Sequence, residues 1–181
     1  MVVLAYVLAH GLTALLVTPL QSRLIPEITP FASLVYLPHG VRVLSAWLLG
    51  RFAFFPLFAG AVLSEALFTP AGTIHALSPV ILISVAVGAS SAVLAFGIVK
   101  LLGHDFLASR TRRVRWNKLL IVGVLASFIN SLGQSFTFSG VIVPDQSLAV
   151  LVTYAIGDLI GLIVTTLALM LIFRWMRLRA K

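Results

Sequence analysis

The chain has 181 residues, of which 60% are hydrophobic and 10% are charged, and its mean hydropathy is +1.12. Soluble domains average roughly 45–50% apolar and about 25% charged residues, so this composition excludes an ordinary soluble protein and indicates an integral membrane protein. The net charge of +8 comes from basic residues at the ends of apolar segments, which membrane topology explains, so nucleic acid is not an expected partner. Cysteine is absent, which excludes disulfides and thiolate metal sites, and no polar linker divides the sequence, so we expect one integral membrane domain over residues 1–181.

The hydrophobic pattern predicts an all-α fold, a polytopic membrane helix bundle with about six transmembrane helices in the lipid bilayer. About 20 apolar residues cross a hydrocarbon core of roughly 30 Å. Apolar segments of about this length are, in chain order, residues 3–20, 31–50, 52–68, 79–102, 119–138 and 148–173. The first segment lacks a basic leader and a clear cleavage site, so we expect a retained span rather than a signal peptide. Small residues from 88 to 92 predict close packing of the fourth span against a neighbour.

The second of these segments is interrupted near its middle by Pro38, His39 and Gly40, and Arg42 follows. Proline removes a helix hydrogen bond and glycine relaxes the backbone, so the pattern predicts two half-helices joined at this break. A broken helix at membrane depth is tolerated only where it is buried in protein or lines a cavity. The break therefore predicts an interior polar site.

An alternative with five spans treats residues 31–40 as a loop and residues 41–68 as one long helix. That helix would be about 42 Å long at 1.5 Å per residue, longer than the bilayer requires, and would place Arg51 near its middle. Six spans are therefore favoured.

Basic residues predict the orientation of the chain. With six spans, both termini lie on one side, together with Arg51, Lys100, the basic loop 104–118 and the basic C-terminal tail. Lysine and arginine are retained on the cytoplasmic side of membrane proteins, so both termini are expected to be cytoplasmic.

Polar residues from different spans lie at similar depths, most of them within roughly 5 Å of the midplane at 1.5 Å per residue. An unpaired charge in lipid is costly, so Arg42 and Asp158 are expected to face the bundle interior and to pair with each other directly or through a ligand. The candidate ligand-binding or buried polar layer consists of His10, His39, Arg42, Asn130, Gln134 and Asp158.

The layer has two interpretations. One is a ligand or ion site built on a broken helix, as in transporters; the other is a structural pair that fixes helix register and binds nothing. Asn130 and Gln134 are typical of hydrogen bonds between helices. His10 and His39 alone do not indicate a metal or haem site, no cofactor is indicated, and no nucleophile or phosphate-binding motif is present, so an enzyme is not predicted.

Four short motifs resemble the first class of bacterial membrane-associated sensor domains. They are Tyr36-Leu37-Pro38-His39-Gly40-Val41-Arg42, the turn Leu48-Leu49-Gly50-Arg51, Phe58-Ala59-Gly60-Ala61, and Gly157-Asp158-Leu159-Ile160-Gly161. The resemblance implies a multi-pass protein of the bacterial cytoplasmic (inner) membrane that senses a ligand. The chain is shorter than the usual eight-span domain and lacks the attached histidine kinase or diguanylate cyclase domain. The resemblance therefore implies signalling through a separate membrane or signalling partner.

Ala5 and Ala9 in the first span are similar to the Ala-x-x-x-Ala pattern of the substrate-binding membrane components of energy-coupling-factor transporters. Three hypotheses follow. The chain is a sensor-type or small-ligand-binding module acting through a partner protein, a small-solute transport component, or a non-catalytic accessory subunit of a larger membrane complex.

Overall fold

A computed structural model describes residues 1–26, 29, 33–69, 78–108, 116–138 and 147–179, and every regular element in these ranges is a helix. The helices are α1 (Val2–Leu12), a π-helical turn (Thr13–Val17), α2 (Thr18–Gln21), α3 (Leu37–Leu49), a 3-10 turn (Gly50–Ala53), α4 (Phe54–Phe68), α5 (Pro79–Leu101), α6 (Trp116–Thr137) and α7 (Ser147–Arg179). The predicted all-α architecture is confirmed.

Five helical segments in the described part of the chain are long and apolar enough to cross a membrane. They are Val2–Gln21, Leu37–Phe68, Pro79–Leu101, Trp116–Thr137 and Leu151–Ile172. The protein is therefore a multi-pass membrane helix bundle. The count is one below the expected six because the second and third predicted spans are joined in one 32-residue segment.

The second predicted span differs from the expected pair of half-helices. Residues 33–36 are not helical, α3 starts at Leu37 with Pro38 in its first turn, and His39 and Gly40 lie inside the regular helix. Proline suits this position because the first turn of a helix leaves its N–H groups without intrahelical partners. The predicted break at Pro38-His39-Gly40 is thus the beginning of a helix, and residues 31–32 lie outside the described ranges.

The backbone turns sharply after α3, where Gly50 has φ 58° and ψ −134°. Glycine adopts this left-handed φ without the penalty that a side chain brings. The single helix over residues 41–68 that the five-span alternative required is interrupted here. α3 and α4 have 13 and 15 residues, so each is shorter than the roughly 20 residues of a full span.

Contacts between helices give their directions. Gly60 packs against Tyr6 and Gly11 packs against Phe68, so α1 and α4 run in the same direction. Thr13 contacts the start of α3, whereas Tyr6 binds Arg42 further along it, so α1 and α3 are antiparallel. The chain therefore reverses direction between α3 and α4.

α7 runs parallel to α3, because Gly157 packs against Ser33 and Thr165 packs against Gly40. α1 consequently begins, and α7 ends, at the same end of the bundle. We call this the basic end, since Arg51, Lys100 and Arg179 lie there, and the opposite end the distal end.

Many buried residues are small or polar, and many large apolar side chains lie on the outside. Leu15, Phe55 and Ile83 are exposed, for example, whereas Ala89, Ala92 and other small residues of α5 are buried where it packs along α6. This distribution is the reverse of a soluble domain and suits lipid contact. It also confirms the predicted close packing of the small residues from 88 to 92.

The non-helical residues 33–36 lie in a groove on α7. A Cβ atom at Gly157 would collide with the carbonyl oxygen of Ser33, and one at Gly161 would collide with that of Tyr36. The Tyr36 N–H donates to the carbonyl of Gly157 at 3.0 Å, and the Leu37 N–H donates to the Thr13 hydroxyl at 3.3 Å. The two glycines therefore allow the backbone contact, and polar partners replace the missing helix hydrogen bonds.

Candidate ligand cavity and buried polar cluster

The centre of the bundle holds a hydrogen-bonded cluster formed by α3, α6 and α7. Asp158 is fully buried, and its Oδ2 lies 3.3 Å from Nδ1 of His39 and accepts a hydrogen bond of 2.8 Å from the Asn130 amide. His39 is also fully buried, and its Nε2 lies 3.2 Å from the carbonyl oxygen of Gly123. Three helices are thus tied together by side chains that have no contact with solvent.

The hydrogen-bond partners of His39 determine how its protons are distributed. A carbonyl oxygen can only accept, so Nε2 carries a hydrogen and donates it to Gly123. Nδ1 faces Oδ2 of Asp158 at 3.3 Å, which is an ion-pair distance when the imidazole is protonated.

Arg42 joins this cluster indirectly. Its Nη1 donates to Oδ1 of Asn130 at 3.5 Å, while Nδ2 of the same amide donates to Asp158. Among the described residues, the ion pair of Asp158 is with His39, so the expected direct pairing of Arg42 with Asp158 is wrong. Asn130 separates the two groups because its amide offers an acceptor to one and a donor to the other.

The Arg42 guanidinium is 4% exposed and lies among aromatic and glycine residues rather than beside a carboxylate. Nη2 donates to the hydroxyls of Tyr6 at 2.8 Å and Tyr36 at 3.2 Å, and the two hydroxyls lie 3.2 Å apart. The side chain also packs directly on Gly88, where a Cβ atom would collide with Nη2. Its Nε has no hydrogen-bond partner among the described residues.

A cavity of about 230 Å³ lies on the distal side of this guanidinium. Arg42 and Asn130 line its inner part, and Thr18, Thr29 and Phe138 line the part near the distal ends of α1 and α6. The cavity therefore connects a buried cation with the distal end of the bundle. Its remaining lining residues are Tyr6, His10, Thr13, Ala14, Ser33, Tyr36, Ala61, Glu65, Ile81, Ser84, Val85, Gln134 and Tyr154.

The other predicted layer residues also lie in or beside the cavity. Gln134 donates to Oδ1 of Asn130 at 3.3 Å and exchanges hydrogen bonds with Ser84, so it extends the cluster to α5. His10 does not join the hydrogen-bonded cluster; its ring stacks on Phe68 and Tyr6, and its Nδ1 has no partner. The structure thus brings five of the six predicted residues into one cluster and places His10 on the cavity wall.

Four residues that matter for the site were not in the predicted layer: Tyr6, Tyr36, Gly88 and Glu65. The tyrosines bind Arg42, Gly88 leaves room for it, and Glu65 lines the cavity. Tyrosines in apolar segments usually indicate the membrane interface, so Tyr6 and Tyr36 carried no signal of their own. The one available signal was Arg42, a charge in an apolar segment that needs hydrogen-bond acceptors. Glu65 has an interfacial position in the sequence, and nothing in the sequence shows that its helix turns it inward.

No three His, Asp or Glu side chains of the described residues are grouped closely enough to hold a metal ion. No family model, no curated protein and no solved structure matches the chain. The function is therefore inferred from the cluster and the cavity.

Proposed function

We propose that the protein is a membrane-embedded module that binds a small ligand in the distal cavity and acts through a partner protein. The observation that carries the proposal is the guanidinium of Arg42, which is buried beside the cavity and forms no ion pair with a carboxylate of the residues that the structure describes. A buried charge without a counter-charge costs several kcal/mol or more, so a position that serves stability alone would favour a paired or apolar side chain. A ligand that brings the missing negative charge would offset this cost.

The arrangement also supports a coupling between ligand and helices. Arg42 contacts residues of α1 and α6, and Asn130 links it to the His39–Asp158 pair on α3 and α7. A ligand that draws the guanidinium toward the cavity would weaken its bond to Asn130, which is already long at 3.5 Å. A change of this kind in the contacts between helices is how a sensor would transmit binding to a partner.

The resemblance to bacterial membrane-associated sensor domains agrees with this proposal and suggests a site in the bacterial inner membrane. The motif residues have clear structural roles, since Gly157 and Gly161 accept the segment before α3 and Asp158 pairs with His39.

Native mass spectrometry of the full chain, released from membranes in mild detergent, tests the proposal. We expect the wild type to retain a small molecule and Arg42→Gln to lose it, because the substitution removes the buried positive charge. Arg51→Gln is the matched control, since Arg51 is an exposed arginine at the basic end. Wild-type protein without any bound small molecule, together with no thermal shift from any added ligand, would reject the proposal.

A transport component is the second candidate, because α3 is a half-length helix whose non-helical approach, residues 33–36, lies beside the cavity. Broken or half-length helices at membrane depth form the substrate sites of many transporters. Flux measurements in proteoliposomes distinguish the two candidates. Binding without flux favours the sensor-type module, and ligand movement across the vesicle membrane favours transport.

A further inference from the structure

The cavity contains a second charge, of opposite sign to Arg42. Glu65 on α4 lines the same space, and its carboxylate accepts a hydrogen bond of 2.7 Å at Oε2 from the Thr69 hydroxyl. No Lys, Arg or His nitrogen of the described residues forms an ion pair with it. A cation and an anion therefore face one cavity without contacting each other.

The two charges lie at different depths. Gly60 of α4 packs against the Cβ atom of Tyr6, and the Tyr6 hydroxyl binds the Arg42 guanidinium. Glu65 lies five residues beyond Gly60, which is about 7.5 Å further toward the distal end at 1.5 Å per residue. The inner part of the cavity is therefore positive and the outer part negative.

The inner part is also suited to anionic oxygens. Tyr6 and Tyr36 share one hydrogen bond between their hydroxyls, and both oxygens face Arg42. One hydroxyl hydrogen of the pair thus has no acceptor among the described residues and remains available to a ligand.

We propose that the ligand is a small zwitterion, whose carboxylate binds Arg42 and the tyrosine hydroxyls while its ammonium group faces Glu65. This inference rests on the proposed function and adds the chemical class of the ligand. Each charge of the ligand meets the opposite charge of the protein, and the filled site has no net charge. A simple anion would meet Arg42 but would leave Glu65 unpaired nearby.

Size and charge separation narrow the class further. The cavity of about 230 Å³ is smaller than the roughly 300–1,000 Å³ of typical ligand pockets, so the ligand is small. The offset between Arg42 and Glu65 favours a zwitterion whose charges are separated by several bonds over one with both charges on neighbouring atoms. His10 also lines the cavity.

Thermal unfolding of the purified full chain in detergent tests this inference with probes that differ only in charge. The matched probes are 4-aminobutyrate, butyrate and butylammonium, and glycine and 6-aminohexanoate vary the separation of the charges. We expect 4-aminobutyrate or 6-aminohexanoate to raise Tm by about 3–6 °C at ten times its Kd. Butyrate and glycine at that same concentration should give smaller shifts. Butylammonium should produce no shift.

Two substitutions assign the effect to the charges. Arg42→Gln should abolish the Tm shift from every probe. Glu65→Gln should make the Tm shift from the zwitterions no larger than that from butyrate, and butyrate should bind this variant at least as tightly as it binds the wild type. Glu65 is half-buried and outside the His39–Asp158–Asn130 cluster, so Glu65→Gln is expected to fold even if Arg42→Gln does not.

The outcomes separate the inference from the proposed function. Tm shifts from butyrate equal to or larger than those from the zwitterions would overturn the inference that the ligand is a zwitterion, while the proposed ligand binding would stand. A larger Tm shift from butylammonium than from the zwitterions would have the same meaning. If no probe shifts Tm, the small molecule retained in native mass spectrometry tests the inference instead. A retained molecule that lacks either the positive or the negative charge would overturn it. No shift and no retained ligand would overturn both.

Discussion

At the scale of single residues, Asn130 organises the site. Its amide accepts from Arg42 of α3 and from Gln134 of its own helix and donates to Asp158 of α7, so one side chain satisfies groups on two other helices and on α6 itself. A side chain that only accepts or only donates could not replace it. The polar cluster therefore depends on the amide as much as on the charged residues around it.

The pairing of His39 with Asp158 gives the first prediction. Asp158→Asn should lower the free energy of unfolding by about 3–5 kcal/mol, because it breaks a fully buried pair. Unfolding of His39→Gln, Asp158→Asn and the double variant should give a coupling energy of about 0.5–3 kcal/mol. The same cycle with Arg42→Gln in place of His39→Gln should give a smaller coupling energy. Strictly additive losses for His39→Gln and Asp158→Asn would contradict the observed contact.

Gly88 gives the second prediction, because the Arg42 guanidinium occupies the space of its missing side chain. Gly88→Ala should displace the guanidinium, lower stability by about 1–3 kcal/mol and weaken ligand binding. Gly97→Ala is the matched control on the same helix, since nothing lies within 4 Å of an added Cβ there. Equal Tm values and equal ligand shifts for the two variants would show that Arg42 does not rest on Gly88.

At the scale of elements, the groove on α7 fixes where α3 begins. The non-helical residues 33–36 cross Gly157 and Gly161, and the Thr165 hydroxyl donates to the carbonyl of Leu37 at 3.2 Å. The start of α3 is therefore held at the depth that brings His39 to Asp158.

Alanine at either groove glycine gives the third prediction. Gly157→Ala and Gly161→Ala should each lower stability by about 1–3 kcal/mol or more, because the added carbon collides with backbone rather than with a flexible side chain. The loss is measured by thermal unfolding against Gly97→Ala, for which helix propensity favours a neutral or stabilising effect. Wild-type stability of both groove variants would mean that residues 33–36 do not lie against α7.

The elements also show what sequence could and could not provide. Hydrophobic length predicted the helices well, because a lipid-exposed helix needs a long apolar run. Pro38 and Gly40 marked an irregularity in the right place, but the same residues are compatible with a kink, a break or a helix start. Only the contacts of residues 33–36 with α7 decide between them, and those contacts join residues more than 120 positions apart.

At the scale of the whole molecule, the positions of the polar residues were predictable and their partners were not. Depth along each span depends on a rise of 1.5 Å per residue, so Arg42, Asn130 and Asp158 could be assigned to one layer. Which side chains meet depends on helix rotation and tilt. The direct Arg42–Asp158 pair was expected for its charges, whereas the structure places Asn130 between them.

The topology of the chain is the fourth prediction. The termini share the basic end, and the positive-inside rule assigns that end to the cytoplasm. Single cysteines on this cysteine-free background test the assignment with a membrane-impermeant thiol reagent applied outside the cell. Ser22→Cys at the distal end should react, and Lys100→Cys should not. The reverse pattern would show that the protein has the opposite orientation in the membrane.

The central claim is that a cavity leads from the distal end to the positive charge of Arg42. Ala14 lines this cavity, whereas its neighbour Leu15 is exposed on the outer surface of the bundle. The rate at which a thiol reagent modifies Ala14→Cys, with Leu15→Cys as control, measures the claim most directly. We expect Ala14→Cys to react with a reagent applied from the distal side and Leu15→Cys to stay unreactive, because only the first side chain lies in the cavity. An Ala14→Cys that reacts no faster than Leu15→Cys would contradict the account.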